Sequence, residues 1–180
     1  MPEIKKYMSE DELKDTIRSI PDFPKEGILF RDITTLLKNG PAYRSLIDTI
    51  ADELRPFGID IVIGPEARGF VIGSAVAYAL GAGFVLARKP GKLPCETAKV
   101  SYGLEYGSDC LEIHKDAIKP GMRVAIVDDL LATGGTAAAV VRLVEEMGAG
   151  VVAASFAIEL CGLSGREKLD GIPVQAVMKY

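Results

Sequence analysis

The sequence predicts an α/β domain: a central, mostly parallel β-sheet with helices on both faces. Three observations carry that prediction. From Ile59 to Ile158, short apolar runs alternate with helical runs of about a dozen residues, the spacing of βαβ units. Val124-Ala125-Ile126-Val127 and the run from Val151 to Ile158 are nearly continuously apolar, as strands covered on both faces are. A chain of 180 residues, 48% hydrophobic and 26% charged, also suits one domain, taken here as 1–180 without a linker or repeat.

The elements follow in order. Ser9-Glu10-Asp11-Glu12 is a capping box that opens a helix expected to run to about Ser19. Pro21, Pro24 and Gly27 force an irregular connection. After Pro41, the residues Tyr43, Leu46, Ile47, Ile50, Ala51 and Leu54 make the apolar stripe of a second helix, ended by Pro56 and Gly58. Ile59–Ile63 is read as a strand, Gly69–Leu80 as a helix and Phe84–Arg88 as a strand. Further on, Arg123–Val127 is read as a strand, Thr136–Met147 as a helix and Val151–Ile158 as a strand. Ligands of such sheets sit beyond the carboxyl ends of the strands, which points to the loops after Ile63, Arg88, Val127 and Ile158. The long polar stretch 91–119 has no place in this alternation and is expected to be a lid, with Ser101–Gly107 able to pair into a β-ribbon.

Composition narrows the function. A net charge of −4 and a pI near 5.1 argue against a protein that coats nucleic acid or anionic membrane. The charge is uneven, however. From Glu66 to Lys99 there are five basic residues (Arg68, Arg88, Lys89, Lys92, Lys99) and two acidic ones (Glu66, Glu96), which suggests one small anionic ligand held in one place. Cys95, Cys110 and Cys161 form neither a disulfide framework nor a zinc-ligand pattern, so a reducing compartment is expected. The single histidine, His114, excludes multi-histidine metal sites and is expected to be solvated. Gly69–Ala87 carries no charge over 19 positions, but Gly81-Ala82-Gly83 divides it into a buried helix and a buried strand. With no apolar signal segment in Met1–Lys6, a soluble cytoplasmic protein is expected.

Two phosphate motifs fail and a third passes. Gly64-Pro65-Glu66-Ala67-Arg68-Gly69 has Walker spacing, yet Phe70-Val71 stand where Lys-Ser/Thr would be needed. Gly148-Ala149-Gly150 precedes a strand instead of a helix, the wrong polarity for a dinucleotide turn. The run Asp128-Asp129-Leu130-Leu131-Ala132-Thr133-Gly134-Gly135-Thr136 leads from a buried strand into a helix start. Its glycines let backbone amides converge on an oxyanion, the helix N-terminus adds its positive end, and Thr133 and Thr136 add hydroxyls. Asp128 and Asp129 are acceptors suited to vicinal ribose hydroxyls. Together they describe a ribose 5-phosphate pocket.

The run from Val127 to Thr136 resembles the phosphoribosyl-pyrophosphate signature of type I phosphoribosyltransferases. Gly27–Thr34, Gly64–Phe70, Arg88–Pro94, Leu104–Gly107, Glu159-Leu160 and Gly165–Leu169 narrow the resemblance to the adenine-using branch. It implies the type I fold, with an N-terminal base-binding hood over about 1–40 and a flexible lid. It also implies a homodimer and Mg²⁺, held mainly by the substrate with no direct protein ligand. The implied reaction joins adenine to 5-phosphoribosyl 1-pyrophosphate, giving AMP and pyrophosphate. By this resemblance, Ala132, Thr133, Gly134, Gly135 and Thr136 hold the 5′-phosphate, and Asp128 and Asp129 the ribose hydroxyls. Glu66, Ala67 and Arg68, with Arg88, Lys89 and Lys92, surround the pyrophosphate, some of them across a subunit interface. Phe30 stacks on the base, backbone groups of Leu29 and Arg31 read its edge, and Leu160 closes the other face. Glu105 handles the proton at the purine imidazole nitrogen, in a closed lid that would raise its pKa. Tyr106 assists in the lid. Relatives that use 6-oxopurines carry an acid within the phosphate loop; here that position is Ala132, which disfavours those bases. Two alternatives stay open: a non-catalytic sensor of phosphoribosyl pyrophosphate, and the same chemistry on another base.

Overall fold

The computed structural model describes residues 7–103 and 108–180. Its first helix, α1 (Glu10–Lys14), carries the expected capping box, with Ser9 and Glu12 each bonding the other's backbone amide. It is shorter than expected. The Thr16 hydroxyl turns back onto the Leu13 carbonyl at 2.6 Å, and the chain leaves as strand β1 (Arg18–Ile20), paired antiparallel with β2 (Phe30–Asp32). Arg18 is better used there, because its guanidinium pairs with the buried Asp32 carboxylate. Asp32 also accepts from the amide and hydroxyl of Thr34, at 3.0 and 2.6 Å, and so starts the short α2 (Thr34–Leu37). Asn39 caps α3 (Gly40–Leu54), whose predicted stripe of Leu46, Ile50, Ala51 and Leu54 is buried.

The uncharged run from Gly69 resolves as expected. Strand β3 (Ile61–Pro65) leads to α4 (Arg68–Leu80), Gly81 ends the helix at φ +72°, and β4 (Gly83–Ala87) follows. No helix among the described residues is long and apolar enough to cross a membrane. Next comes an antiparallel hairpin, β5 (Thr97–Gly103) with β6 (Ser108–His114), and then β7 (Arg123–Leu131), α5 (Gly135–Glu146), β8 (Gly150–Glu159) and β9 (Val174–Lys179).

The main sheet has the order β4-β3-β7-β8-β9 and is parallel throughout. Strand residues alternate between its two cores. Val62, Ala125 and Val127 pack with α3 and α4, whereas Ile63, Val124 and Ile126 pack with α5 and the hairpin. Three expectations change here. The stretch 91–119 is not all lid, since Val100, Leu111 and Ile113 of the hairpin are buried in the second core. Strand β7 runs four residues past Val127, so Asp128 and Asp129 are strand residues; Asp128 pairs with Phe156 of β8. Strand β9, not among the elements read from the sequence, forms one edge of the sheet. His114, expected to be solvated, is half-buried, with its ring nitrogen against the Pro94 carbonyl.

Two stability tests follow. Asp32 is held at about 2, below its ordinary 3.8, by the Thr34 hydroxyl first, then Arg18 and the Thr34 amide. The fold therefore favours the charged form, and this stabilisation is complete above pH 3.8 and lost as the pH falls through about 2. In urea titrations, Asp32→Asn is expected to be destabilising at neutral pH, and the gap from wild type is expected to shrink over that acid window. Phe156, 1% exposed, faces the second core, and Phe156→Ala is expected to lower the unfolding free energy by about 3–5 kcal/mol in the same measurement.

Candidate active site

The chain order places a topological switch between β3 and β7: it runs from β3 out to β4, then returns to β3's other side as β7. At the carboxyl end of β7, residues Ala132–Thr136 turn through Gly134 (φ +75°) into α5. A left-handed residue there needs glycine, and the turn presents the first amides of a 12-residue helix to a cavity of about 70 Å³. Ala132, Thr133, Gly134, Gly135 and Thr136 all line it, with Phe156 at its floor from β8. All five residues expected at the 5′-phosphate are thus brought together.

Behind the loop lies Gly165. A Cβ on Gly165 would stand 2.3 Å from the Ala132 carbonyl oxygen and 3.1 Å from the Gly134 nitrogen; one on Gly134 would stand 2.3 Å from the Gly165 carbonyl oxygen. Backbone lies directly on backbone. Arg166 fixes the Gly165 segment by a fork onto the buried Glu159 carboxylate, at 2.5 and 2.7 Å, and by a bond to the Val174 carbonyl.

Asp129 is buried at the end of β7 and meets Arg68, the first residue of α4, at 2.9 Å. Arg68, a cation expected at the pyrophosphate, is thus paired with one of the two carboxylates expected at the ribose hydroxyls. Burial raises the pKa of both carboxyls. For Asp128 the nearby charge of Asp129 raises it further, whereas Arg68 acts against burial at Asp129. A diol would supply hydrogens to this costly pair. The Glu66–Ala67 peptide is cis, and the Glu66 amide donates to the Ala87 carbonyl at 2.8 Å. Arg88 pairs with Glu66 at 2.7 Å and reaches the Lys92 carbonyl, so these three predicted residues meet. Lys89 turns instead to Asp109 of the hairpin, at 3.3 Å.

On the base side, the Phe30 ring meets Phe23 edge-on at 5.1 Å and has the Arg68 guanidinium 5.6 Å from its centre. Leu29 is exposed, and Arg31, opposite Ser19 in the β1–β2 ladder, lays its guanidinium over Tyr180 at 4.0 Å. The Leu160 amide donates to the Leu131 carbonyl, and this places Leu160 at the loop end of the sheet. Glu105 and Tyr106 lie outside the described residues.

Comparison with known proteins decides the family. The family model for the phosphoribosyl transferase domain matches residues 32–171. A Clostridium perfringens adenine phosphoribosyltransferase is 61% identical over 93% of this chain and 98% of its own. The chain belongs to the adenine phosphoribosyltransferase family. The adenine phosphoribosyltransferase of Thermoanaerobacter pseudethanolicus superposes with a TM-score of 0.93 at 52% identity, covering 96% of this chain and all of that one. The yeast enzyme, solved with an imino-altritol bisphosphate and adenine, superposes at 0.90 with 46% identity, covering 94% of this chain and 98% of that one.

Phosphoribosyltransferases use their donor with a divalent metal. Among the described residues, no cluster of three or more His, Cys, Asp or Glu could hold one. The carboxylates beside the phosphate loop are two, Asp128 and Asp129, and Arg68 already engages Asp129. Three residues of this adenine phosphoribosyltransferase site went unassigned in the sequence: Gly165, Tyr102 and Asp109. Gly165 opens a segment whose family pattern is visible, but its role depends on a contact 31 residues from Gly134. Gly165→Ala must displace the loop carbonyl or amide. It is expected to raise KM for phosphoribosyl pyrophosphate at least about tenfold, the cost of one lost charge-assisted hydrogen bond, with KM for adenine unchanged. Steady-state kinetics with each substrate varied in turn checks this.

Proposed function

We propose that this chain salvages purine by transferring the 5-phosphoribosyl group of 5-phosphoribosyl 1-pyrophosphate to adenine, giving AMP and pyrophosphate. The observation that carries the reading is the meeting of three ligand sets at one switch point: the phosphate cradle of Ala132–Thr136, the Asp128–Asp129 acceptors, and the cations around Glu66. Adenine bound to the yeast relative supports the choice of base.

The residues divide the work. Loop amides and the hydroxyls of Thr133 and Thr136 hold the 5′-phosphate. When ribose hydroxyls donate to Asp129, its hold on Arg68 loosens and the guanidinium turns to the diphosphate. Arg68, Arg88, Lys89 and Lys92 then face the negative charge that grows as the C1′–O bond breaks, usually the largest single catalytic contribution. Mg²⁺, bound on the substrate's diphosphate, supplies further counter-charge. Phe30 and Leu160 sandwich the adenine, and backbone groups of Leu29 and Arg31 read its edge. As the base nitrogen bonds to C1′, its proton passes to Glu105. The lid with Glu105 and Tyr106 excludes water from the cation-like carbon. The working unit is a homodimer in the cytoplasm, where the free Cys95, Cys110 and Cys161 stay reduced.

Two measurements test this. With Mg²⁺ and phosphoribosyl pyrophosphate present, pyrophosphate release is expected with adenine and not with hypoxanthine, guanine, xanthine or orotate; release with a 6-oxopurine would overturn the base assignment. Glu105→Gln is expected to lose about 10²–10⁴-fold in kcat while retaining adenine binding, the range for a general acid or base. Turnover near the wild-type rate would move the proton elsewhere.

A further inference from the structure

We infer that Tyr102, on the β5 arm of the hairpin, is a positioning residue for the 5′-phosphate, orienting the Thr136 hydroxyl that lines the phosphate cavity. This rests on the reading of that cavity as the 5′-phosphate site. Hairpin register sets Tyr102 opposite Asp109. The Tyr102 hydroxyl lies 3.4 Å from Asp109 Oδ2 and 3.5 Å from Thr136 Oγ1, and the same Asp109 oxygen is 3.3 Å from Lys89 Nζ. The Tyr102 ring also packs on the loop, its Cδ2 3.6 Å from where a Cβ on Gly135 would stand. Arg142 of α5 ties the arm down, donating to the Ser101 carbonyl at 3.1 Å. A residue anchored to the loop's own helix thus touches two consecutive loop residues.

Counting hydrogens shows what the contact does. Tyr102 and Thr136 have one hydroxyl hydrogen each. With the loop empty, the Asp109 carboxylate is the stronger acceptor and takes the Tyr102 hydrogen, and the Tyr102 oxygen accepts that of Thr136. A phosphate dianion outcompetes a phenol oxygen and takes the Thr136 hydrogen. With that hydrogen on the phosphate, the Thr136 oxygen turns its lone pairs to Tyr102, whose single hydrogen is then shared between Asp109 and Thr136. The result is a chain from Tyr102 to Thr136 to phosphate, each bond polarising the next. Burial pushes the Tyr102 phenol above its ordinary value, so its hydrogen is present throughout the neutral range. The 3.4 and 3.5 Å separations, at the long end for hydroxyl bonds, suit a hydroxyl shared between two acceptors.

The test is a double-mutant cycle on ribose 5-phosphate affinity, read by titration calorimetry for wild type, Tyr102→Phe, Thr136→Val and the double variant. Tyr102→Phe keeps the ring and is expected to weaken binding about fivefold, as loss of one neutral hydrogen bond does. In the Thr136→Val background the same change is expected to matter less than about twofold. KM for adenine, unchanged in Tyr102→Phe, reports an intact fold. Equal factors in both backgrounds, or wild-type affinity in Tyr102→Phe, would overturn the inference and leave the phosphate site standing. Failure of the wild-type protein to bind ribose 5-phosphate would overturn both.

Discussion

The site depends on the parallel pairing of β3 with β7, in which Ile61, Val62 and Ile63 lie beside Val124, Ala125 and Ile126. Fifty-seven residues lie between the two strands in sequence, and the Glu66–Arg68 loop, the Asp128–Asp129 pair and the Ala132–Thr136 loop all come from their shared carboxyl ends. Parallel strands send their loops out at the same end, so the Glu66–Arg68 loop emerges beside Asp128 and Asp129. The Arg68–Asp129 ion pair is the direct result. Both helices that start there, α4 and α5, point their N-termini the same way, so the positive ends of two helices face one anionic substrate. Apolar packing on both faces holds the register, since a slip of one residue would exchange Val62 and Ile63 between the two cores.

Charge at this site is balanced before any ligand arrives. Arg68 sits on Asp129, Arg88 on Glu66 and Lys89 on Asp109. The largely buried Asp129 and Glu66 carboxylates would carry desolvation costs if unpaired, whereas their cations stay partly in solvent. Pairing them lets the ligand-free fold tolerate the groups the chemistry needs. Under the proposed function the substrate exchanges partners rather than finding free charges: hydroxyls replace the cation on a carboxylate, and phosphate oxygens replace the carboxylate on the cation. The weak point of that balance is Asp128, whose raised pKa reflects burial and the charge of Asp129 beside it.

Most of the sheet and the phosphate loop was legible because each depends on local pattern. Continuous apolar runs marked β7 and β8, and the glycine turn after Asp128-Asp129 marked the cradle. What stayed hidden depends on contacts between distant segments. Helix α1 stops at Lys14 because Arg18 is wanted by Asp32, 14 residues on. A ribbon was legible only over Ser101–Gly107, and its extension to Thr97 and His114 stayed hidden because polar residues outnumber the buried Val100, Leu111 and Ile113. Gly165 looked like any turn glycine until Gly134 was found lying on it. The base-pocket assignment rests on family likeness alone, since nothing in the spacing of Leu29, Phe30 and Arg31 announces a ring.

The acidic composition and the polyanionic substrate are then compatible for a physical reason. Long-range attraction would need a basic surface, and a chain of net charge −4 does not have one. Recognition at close range needs only donors aimed at oxygens. The 5′-phosphate meets backbone amides, which carry no net charge and cannot be paid for or cancelled by surrounding acids. The cations proposed for the diphosphate are already paired with Asp129, Glu66 and Asp109, so a ligand that also satisfies the carboxylates releases them at lower cost. A free diphosphate offers no hydroxyl to Asp129, whereas phosphoribosyl pyrophosphate offers a diol, a 5-phosphate and a diphosphate in one molecule. Preference for the whole donor over its fragments is therefore built into the pairing itself.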